Sequence, residues 1–505
     1  MTVAAHDISK VAFVSLGCPK NLVDSEQMLG ALADSGLQIV SSDHEADAIV
    51  VNTCGFLEAS REESLAVIEE AIQRKKRGEL KRVIVAGCLV QRHRAKLLDW
   101  APGIDAMIGV FDRDKIVDAV RGESPNREGL DPDGPAYWIA GNALQAAEAR
   151  GRDTVGLTVQ GADGKGLGYW ENDTERFRLT PRHWAYLRIS EGCNQNCSFC
   201  TIPSIRGKMR SKPVETIVEE AKKLLTSGVF ELNLIGQDTT SFGTDIGYEE
   251  GLVGLLTALN NAVAGTGGGW IRLMYAYPTY FTDEMIEAMA KLPHVLPYID
   301  IPLQHASDNM LSAMRRNVTA DVQSSLLDRL REKIPGVGIR TTMITGFPGE
   351  TEEDHTALLD FIGHHQFEAM GVFQYSKEAG TVAGTMELDE NLRVPDETKQ
   401  LREEELMLLQ QEIAFAKASK AAGDGIKHDV LIDAYLGETG EGEIHLYQCR
   451  TKQQAPDVDA CTILMAETKQ TIGAVIPCTI VDSDGYDMIA RPTTELEKVV
   501  SLPLR

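Results

Sequence analysis

The sequence predicts an α/β protein in three parts: an N-terminal parallel α/β domain, a central partial (β/α) barrel and a small C-terminal β-barrel. Three observations carry this. Over the first 120 residues short apolar runs alternate with longer amphipathic ones. The alternation resumes near residue 181 and recurs through some six strand–helix units. From about Gly423 it gives way to short apolar runs separated by Gly, Asp and Pro.

In the first part, Val11–Leu16, Ala48–Asn52 and Val83–Ala86 read as strands, with helices at Ser25–Ser35 and Glu62–Lys76 between them. Gly122–Tyr137 and Gly161–Gly168 are rich in Gly, Pro and charge, so 122–180 reads as a linker with a partly mobile insertion. In the second part the expected strands are Ala185–Ile189, Glu231–Ile235, Trp270–Met274, Tyr298–Ile301, Gly338–Met343 and Gly371–Tyr375, followed by a long charged helix at Glu397–Lys420. In the third, Asp429–Tyr435, Thr462–Met465 and Ala474–Val481 are strand-like. The implied domains are 9–121, a linker 122–180, 181–418 and 419–499.

Length and composition bound the function. A chain of 505 residues is long enough for three or four domains. Its 43% apolar and 25% charged residues fit a globular protein in water. No apolar run reaches the roughly 18 residues of a membrane span, and Met1–Lys10 lacks the apolar core of a secretory signal. A cytoplasmic address without membrane attachment is the expectation. A net charge of −25 argues against gripping nucleic acid by its phosphates and for a protein or small-molecule partner, although many cytoplasmic enzymes are simply acidic. Nine cysteines, an odd number in such a protein, point to metal ligation or chemistry before disulfides.

Three of those cysteines lie in Arg188-Ile-Ser-Glu-Gly-Cys193-Asn-Gln-Asn-Cys197-Ser-Phe-Cys200, a C-x3-C-x2-C loop at the end of an expected strand. Three thiolates can hold three irons of a cubane cluster and leave the fourth iron open to an outside chelator, such as the amine and carboxylate of an amino acid. Zinc would need a fourth ligand to close a tetrahedron, with His183 the one nearby candidate. Chance clustering of buried cysteines is the other alternative. Cys18, Cys54 and Cys88 are remote in sequence, but each directly follows an expected strand. In a parallel sheet those strand ends share one edge, with neighbours about 4.8 Å apart. Three thiolates can therefore converge there, again leaving one iron open; the alternative is three core cysteines. Cys449, Cys461 and Cys478 have no tight spacing and read as structural thiols.

The C-x3-C-x2-C loop after a barrel strand resembles the radical S-adenosylmethionine superfamily. With both cysteine sets, the chain is similar to the methylthiotransferase family of that superfamily, whose members carry a three-cysteine domain, a radical barrel and a C-terminal TRAM domain. Ser15-Leu-Gly-Cys18-Pro19-Lys20-Asn21-Leu-Val-Asp24-Ser-Glu26 and Thr201-Ile-Pro-Ser-Ile-Arg-Gly207 resemble the RimO branch, which modifies the β-carbon of an aspartate in small-subunit ribosomal protein twelve. The other branch modifies a tRNA adenosine and usually has Gln and Met in place of Pro19 and Lys20.

The resemblance implies two [4Fe-4S] clusters, on Cys18/Cys54/Cys88 and on Cys193/Cys197/Cys200. It implies S-adenosyl-L-methionine held near Gly236, Gln237 and Gln304, in Gly236-Gln-Asp238 and Ile301-Pro-Leu-Gln304-His305 at strand ends. Thr345-Gly-Phe-Pro-Gly-Glu350 ends another strand. It further implies a ribosomal protein as substrate, an electron donor and a sulfur source. Residues 424–505 hold fourteen acidic and seven basic residues, a net −7 that suits a basic protein better than RNA. The other readings are a tRNA modifier and, in a different class, a non-enzymatic iron–sulfur sensor or scaffold. No catalytic acid or base stands out.

Overall fold

A computed structural model describes residues 8–41, 45–94, 96–122, 136–138, 176–439 and 444–500. They form two compact units, one of residues up to 179 together with 201–208, the other of 180–200 and 209 onward.

The first unit is built on a parallel sheet. Its strands are β1 (Lys10–Ser15), β2 (Gln38–Val40), β3 (Ala48–Thr53), β4 (Arg82–Gly87), β5 (Ala106–Ile108) and β6 (Ala136–Trp138). They are arranged β2-β1-β3-β4-β5-β6. All six residues of β3 are buried, as a central strand covered on both faces requires. Helices Pro19–Asp34 and Glu58–Lys76 cover the sheet. The first begins six residues before the sequence suggested, because Cys18 is the extended N-cap and Pro19 occupies the first turn, where a missing N–H costs nothing.

The expected linker 122–180 lies mostly outside the described residues. Its described residues are 136–138 and 176–180. Ala136–Trp138 extends the sheet by pairing with β5. Phe177 N donates to Glu26 O at 3.0 Å, Leu179 N to the buried Glu26 carboxylate at 2.8 Å, and Arg176 pairs with it at 3.4 Å. Glu26 thus fixes a segment whose polarity reads as loop.

The second unit holds a six-stranded parallel sheet. Its strands are β7 (Trp184–Arg188), β10 (Glu231–Ile235), β11 (Trp270–Leu273), β12 (Val295–Asp300), β13 (Gly338–Thr345) and β14 (Ala369–Gln374), in that spatial order. Between β7 and β10 a two-stranded ribbon pairs β8 (Ser190–Glu191) with β9 (Arg210–Ser211). The outward residues Leu187, Leu232, Leu234, Leu273 and Ile299 join the helices in one large apolar core. The alternate residues Glu231, Asn233, Arg272, Tyr298 and Asp300 are buried yet polar, so the strands show both faces of the period-2 pattern.

The closing helix runs from Asp396 to Gly423. Its Leu406 and Ile413 pack into the barrel core, while Ala421 and Ala422 pack on the C-terminal module. That module is a closed barrel of β15 (Lys427–Glu438), β16 (His445–Thr451), β17 (Thr462–Ala466), β18 (Val475–Asp484) and β19 (Asp487–Pro492). β16 and β19 were not evident in the sequence. Cys449 and Cys478 lie in its apolar core, as structural thiols do. No helix among the described residues is long and apolar enough to cross a membrane.

Candidate metal centres

Strands β1, β3 and β4 are direct neighbours, with Ser15 opposite Asn52 and Thr53 opposite Gly87. Cys18, Cys54 and Cys88 therefore leave one sheet edge from consecutive strands. Each has a glycine beside it: Gly17-Cys18, Cys54-Gly55 and Gly87-Cys88. Gly17 has φ +92°, and a Cβ there would sit 2.9 Å from the Cys54 Cβ. Gly87 has φ +97°, and its Cβ would fall 2.3 Å from Asn52 Oδ1. Only glycine permits both the backbone conformation and the approach.

Asn21 ties these loops together. Its amide nitrogen donates to Leu16 O at 2.7 Å and Thr53 O at 3.0 Å. Asn52 in turn donates to Asn21 O at 2.9 Å. Arg206, from the short helix Ile202–Arg206, reaches Asp24 at 2.9 Å, Asn21 Oδ1 at 3.2 Å and the Cys88 sulfur at 3.3 Å. Burial pushes the Cys88 thiol up to about 12, with Arg206 opposing the shift and the Cys18 and Cys54 thiols adding to it. Burial and the Cys18 charge raise Cys54 as well.

Cys193, Cys197 and Cys200 follow β7 and the first ribbon strand. Gln195 N donates to the Cys193 sulfur at 3.4 Å, and its side chain reaches Asp238 at 2.8 Å. Asp238 also accepts from Thr240 at 2.7 Å and Ser241 at 2.6 Å. Ser198 N donates to Met314 O at 3.0 Å. The loop is therefore pinned to segments that follow two different barrel strands. Arg316 donates to the Cys197 sulfur at 3.4 Å and lies over the Tyr277 ring at 4.2 Å, while the Tyr277 hydroxyl stands 4.0 Å from the same sulfur. Burial pushes the Cys193 thiol up to about 12, with the Gln195 amide opposing it.

Among the described residues, only Asp328, His364 and His365 bring three such ligand atoms within 4.8 Å of one another. Neither cysteine triad is that tight. A single zinc would hold its sulfurs about 3.8 Å apart. His183 does not complete a zinc site at the loop. It precedes β7 whereas the cysteines follow it, roughly 17 Å further along the strand axis, and its Nε2 is 2.8 Å from Asp433. His364 and His365 are adjacent on one helix, where side chains diverge by about 100°, and Ser324 bonds His365 at 2.9 Å.

Of the other expected residues, Gly236 directly follows β10, and a Cβ there would lie 2.6 Å from Ser190 Oγ. Gln237 donates to buried Glu191 at 2.9 Å. Gln304 has φ +75°, with its N–H on Thr342 O at 2.8 Å and its carbonyl accepting from Ile344 at 2.7 Å. A left-handed non-glycine held this firmly at a strand end is the kind of strain that functional sites store. Glu350 is buried and accepts from the Gly346 and Phe347 amides, so Thr345–Glu350 is a closed turn. Sequence reasoning singled out none of Arg206, Arg316, Tyr277 or Asn21 individually. Arg206 and Asn21 stood inside quoted motifs, while Tyr277 and Arg316 carried no motif at all.

Three family models match: the uncharacterized protein family UPF0004 over residues 10–109, the radical SAM superfamily over 187–362 and the TRAM domain over 425–492. The ribosomal protein uS12 methylthiotransferase RimO of Solibacter usitatus is 37% identical over 98% of this chain and 97% of its own length. That of Trichlorobacter lovleyi is 38% identical over 96% and 98%. The radical S-adenosylmethionine methyltransferase TsrM from Kitasatospora setae, solved with cobalamin and a [4Fe-4S] cluster, has a similar fold at TM-score 0.50 and 15% identity, covering 75% of this chain and 77% of its own. The chain belongs to the RimO family of ribosomal protein uS12 methylthiotransferases.

Proposed function

We propose that this protein is a radical S-adenosylmethionine enzyme that places a methylthio group on the β-carbon of an aspartate in ribosomal protein uS12. The observation that carries the reading is the pairing of two cysteine triads, each following strand ends of a parallel sheet, with nearly full-length relatives bearing that name. The same relatives favour the ribosomal protein over a tRNA adenosine. Two [4Fe-4S] clusters and S-adenosyl-L-methionine, when bound, supply radical hydrogen abstraction, sulfur and a methyl group for a carbon too weakly acidic for proton transfer.

The chain's own residues supply position. Cys193, Cys197 and Cys200 would ligate one cluster, their loop held by Gln195 on Asp238 and by Arg316 on Cys197. Gly236, Gln237 and Gln304 would line the S-adenosylmethionine site, Gly236 by admitting the close approach of Ser190 Oγ and Gln304 by presenting its side chain from a fixed backbone. Cys18, Cys54 and Cys88 would ligate the second cluster. An electron donor and a sulfur source complete the partners.

Reconstitution without oxygen tests this directly. The intact protein should hold about eight irons. Exchanging Cys193, Cys197 and Cys200 for Ala should halve that and abolish 5′-deoxyadenosine formation. Exchanging Cys18, Cys54 and Cys88 should also halve it but spare cleavage and stop sulfur insertion, read as loss of the SCH3-for-H mass gain on uS12. Cleavage without the first triad, or methylthiolation without the second, would overturn the reading. A sensor would form no 5′-deoxyadenosine at all.

A further inference from the structure

Arg206 is 1% exposed, and its guanidinium is committed to three partners at one place: the Asp24 carboxylate at 2.9 Å, Asn21 Oδ1 at 3.2 Å and the Cys88 sulfur at 3.3 Å. Asn21 is the residue that joins the loops after β1 and β3. Asp24 is itself buried and also meets Arg113 at 3.2 Å. Ile205, next to Arg206, packs on Cys88 with Val110. The segment Thr201–Lys208 thus belongs to the first unit by its packing, and it delivers a permanent cation onto one sulfur of the N-terminal triad.

Arginine suits this place for physical reasons. Its planar fork can serve a carboxylate, an amide oxygen and a sulfur together, and it stays charged when buried. A lysine offers the charge but not the fork. A charged N–H donor on a ligand sulfur withdraws electron density and stabilises the reduced form of an iron–sulfur centre.

Resting on the two-cluster reading above, we infer that Arg206 is the positioning residue of the N-terminal centre: it orients the Cys88 sulfur for iron and raises the reduction potential of the cluster held by Cys18, Cys54 and Cys88. It is distinct from Arg316, which serves the Cys197 sulfur of the other triad.

The test uses the full-length chain with Cys193, Cys197 and Cys200 changed to Ala, so that only the N-terminal centre remains, reconstituted anaerobically with ferrous iron and sulfide. Arg206→Gln and Arg206→Lys are made in that background, with Asp24→Asn/Arg206→Gln as the variant that does not leave Asp24 facing a lost charge. Iron content, a thermal melt and an electron paramagnetic resonance titration of midpoint potential are read. The expected result is a more negative midpoint in both Gln variants and a partial return with Lys. An unmoved midpoint in the Gln variants, or iron loss that Lys does not relieve, overturns the inference. Absence of iron from the parent with Arg206 intact would instead overturn the two-cluster reading, so the two failures are distinguishable.

Discussion

Glu231, the first residue of β10, and Arg450, in β16 of the C-terminal barrel, form a buried ion pair of 2.6 Å across 219 residues of sequence. Glu231 also holds Arg272 at 2.7 Å, and Arg450 holds Asp433 at 2.7 Å. Asp459 continues the network to Tyr298 at 2.8 Å and Arg340 at 3.3 Å. Buried polar groups on β10, β11, β12 and β13 thus tie the small barrel to the larger one. Burial alone would raise the Glu231 carboxyl, but Arg450 and Arg272 outweigh it and hold it below its ordinary value.

Breaking such a pair on one side leaves an uncompensated buried charge, at a cost of about 3–5 kcal/mol. Glu231→Gln and Arg450→Met should each lower stability by that order in urea unfolding. The double variant should cost less than the sum by at least about 1 kcal/mol. Additive losses would show that the two residues are not coupled.

The same network sets an acid limit. Glu231 and Asp433 are both held below their ordinary values of 4.5 and 3.8. The stability they contribute is therefore complete above about pH 4.5 and lost as pH falls through their depressed folded values. Stability measured from pH 6 downward should decline more gently in Glu231→Gln than in the intact protein. Parallel curves would show that these carboxyls do not carry the acid sensitivity.

Gly87→Ala should damage the N-terminal triad without touching a sulfur. The new Cβ meets Asn52 Oδ1 at 2.3 Å and Thr53 O at 2.7 Å, and φ is +97°. Strain of this kind costs about 1–3 kcal/mol. The variant should lose the iron assigned to Cys18, Cys54 and Cys88 while keeping 5′-deoxyadenosine formation. Full iron content would show that the Asn52 contact can relax freely.

Much of this was legible in the sequence, for one reason: strands buried on both faces read as apolar runs, and chemistry sits at their ends. Cys18, Cys54 and Cys88 each follow such a run, and the order β1-β3-β4 makes them neighbours. Lumen residues were less legible. Glu231 and Arg272 look like ordinary surface charges until the strand direction turns them inward, where Glu231 pairs with both Arg272 and Arg450. Nor could spacing find Arg206 or Arg316, because a donor to a sulfur is defined by distance, not by sequence. β16 was missed because His445–Thr451 mixes Gln, Arg and Thr with few apolar residues, and pairing with β15 and β17 decides it.

Asp238 supports the central loop through Gln195, Thr240 and Ser241. Asp238→Ala should free all three donors and loosen the backbone between Cys193 and Cys197. In a chain lacking Cys18, Cys54 and Cys88, iron retention on dilution should fall. Asp238→Asn, which keeps one acceptor oxygen, should fall between. Equal retention in all three would assign Asp238 to folding alone.

The C-terminal barrel's charge leads to the last prediction. Its net −7 over residues 424–505 is not all available to a partner, because Asp433 and Asp459 are turned onto Arg450 and Arg340. Asp424, Asp482 and Asp484 are exposed and remain. Complementary charge acts mainly on association rate and is screened over about 8 Å at physiological salt. Changing these three residues to Lys should slow association with uS12, flatten its salt dependence and leave 5′-deoxyadenosine formation without uS12 unchanged. Stopped-flow association at two salt concentrations reads this, and an unchanged rate at low salt would show that the barrel's outer acids do not face the substrate.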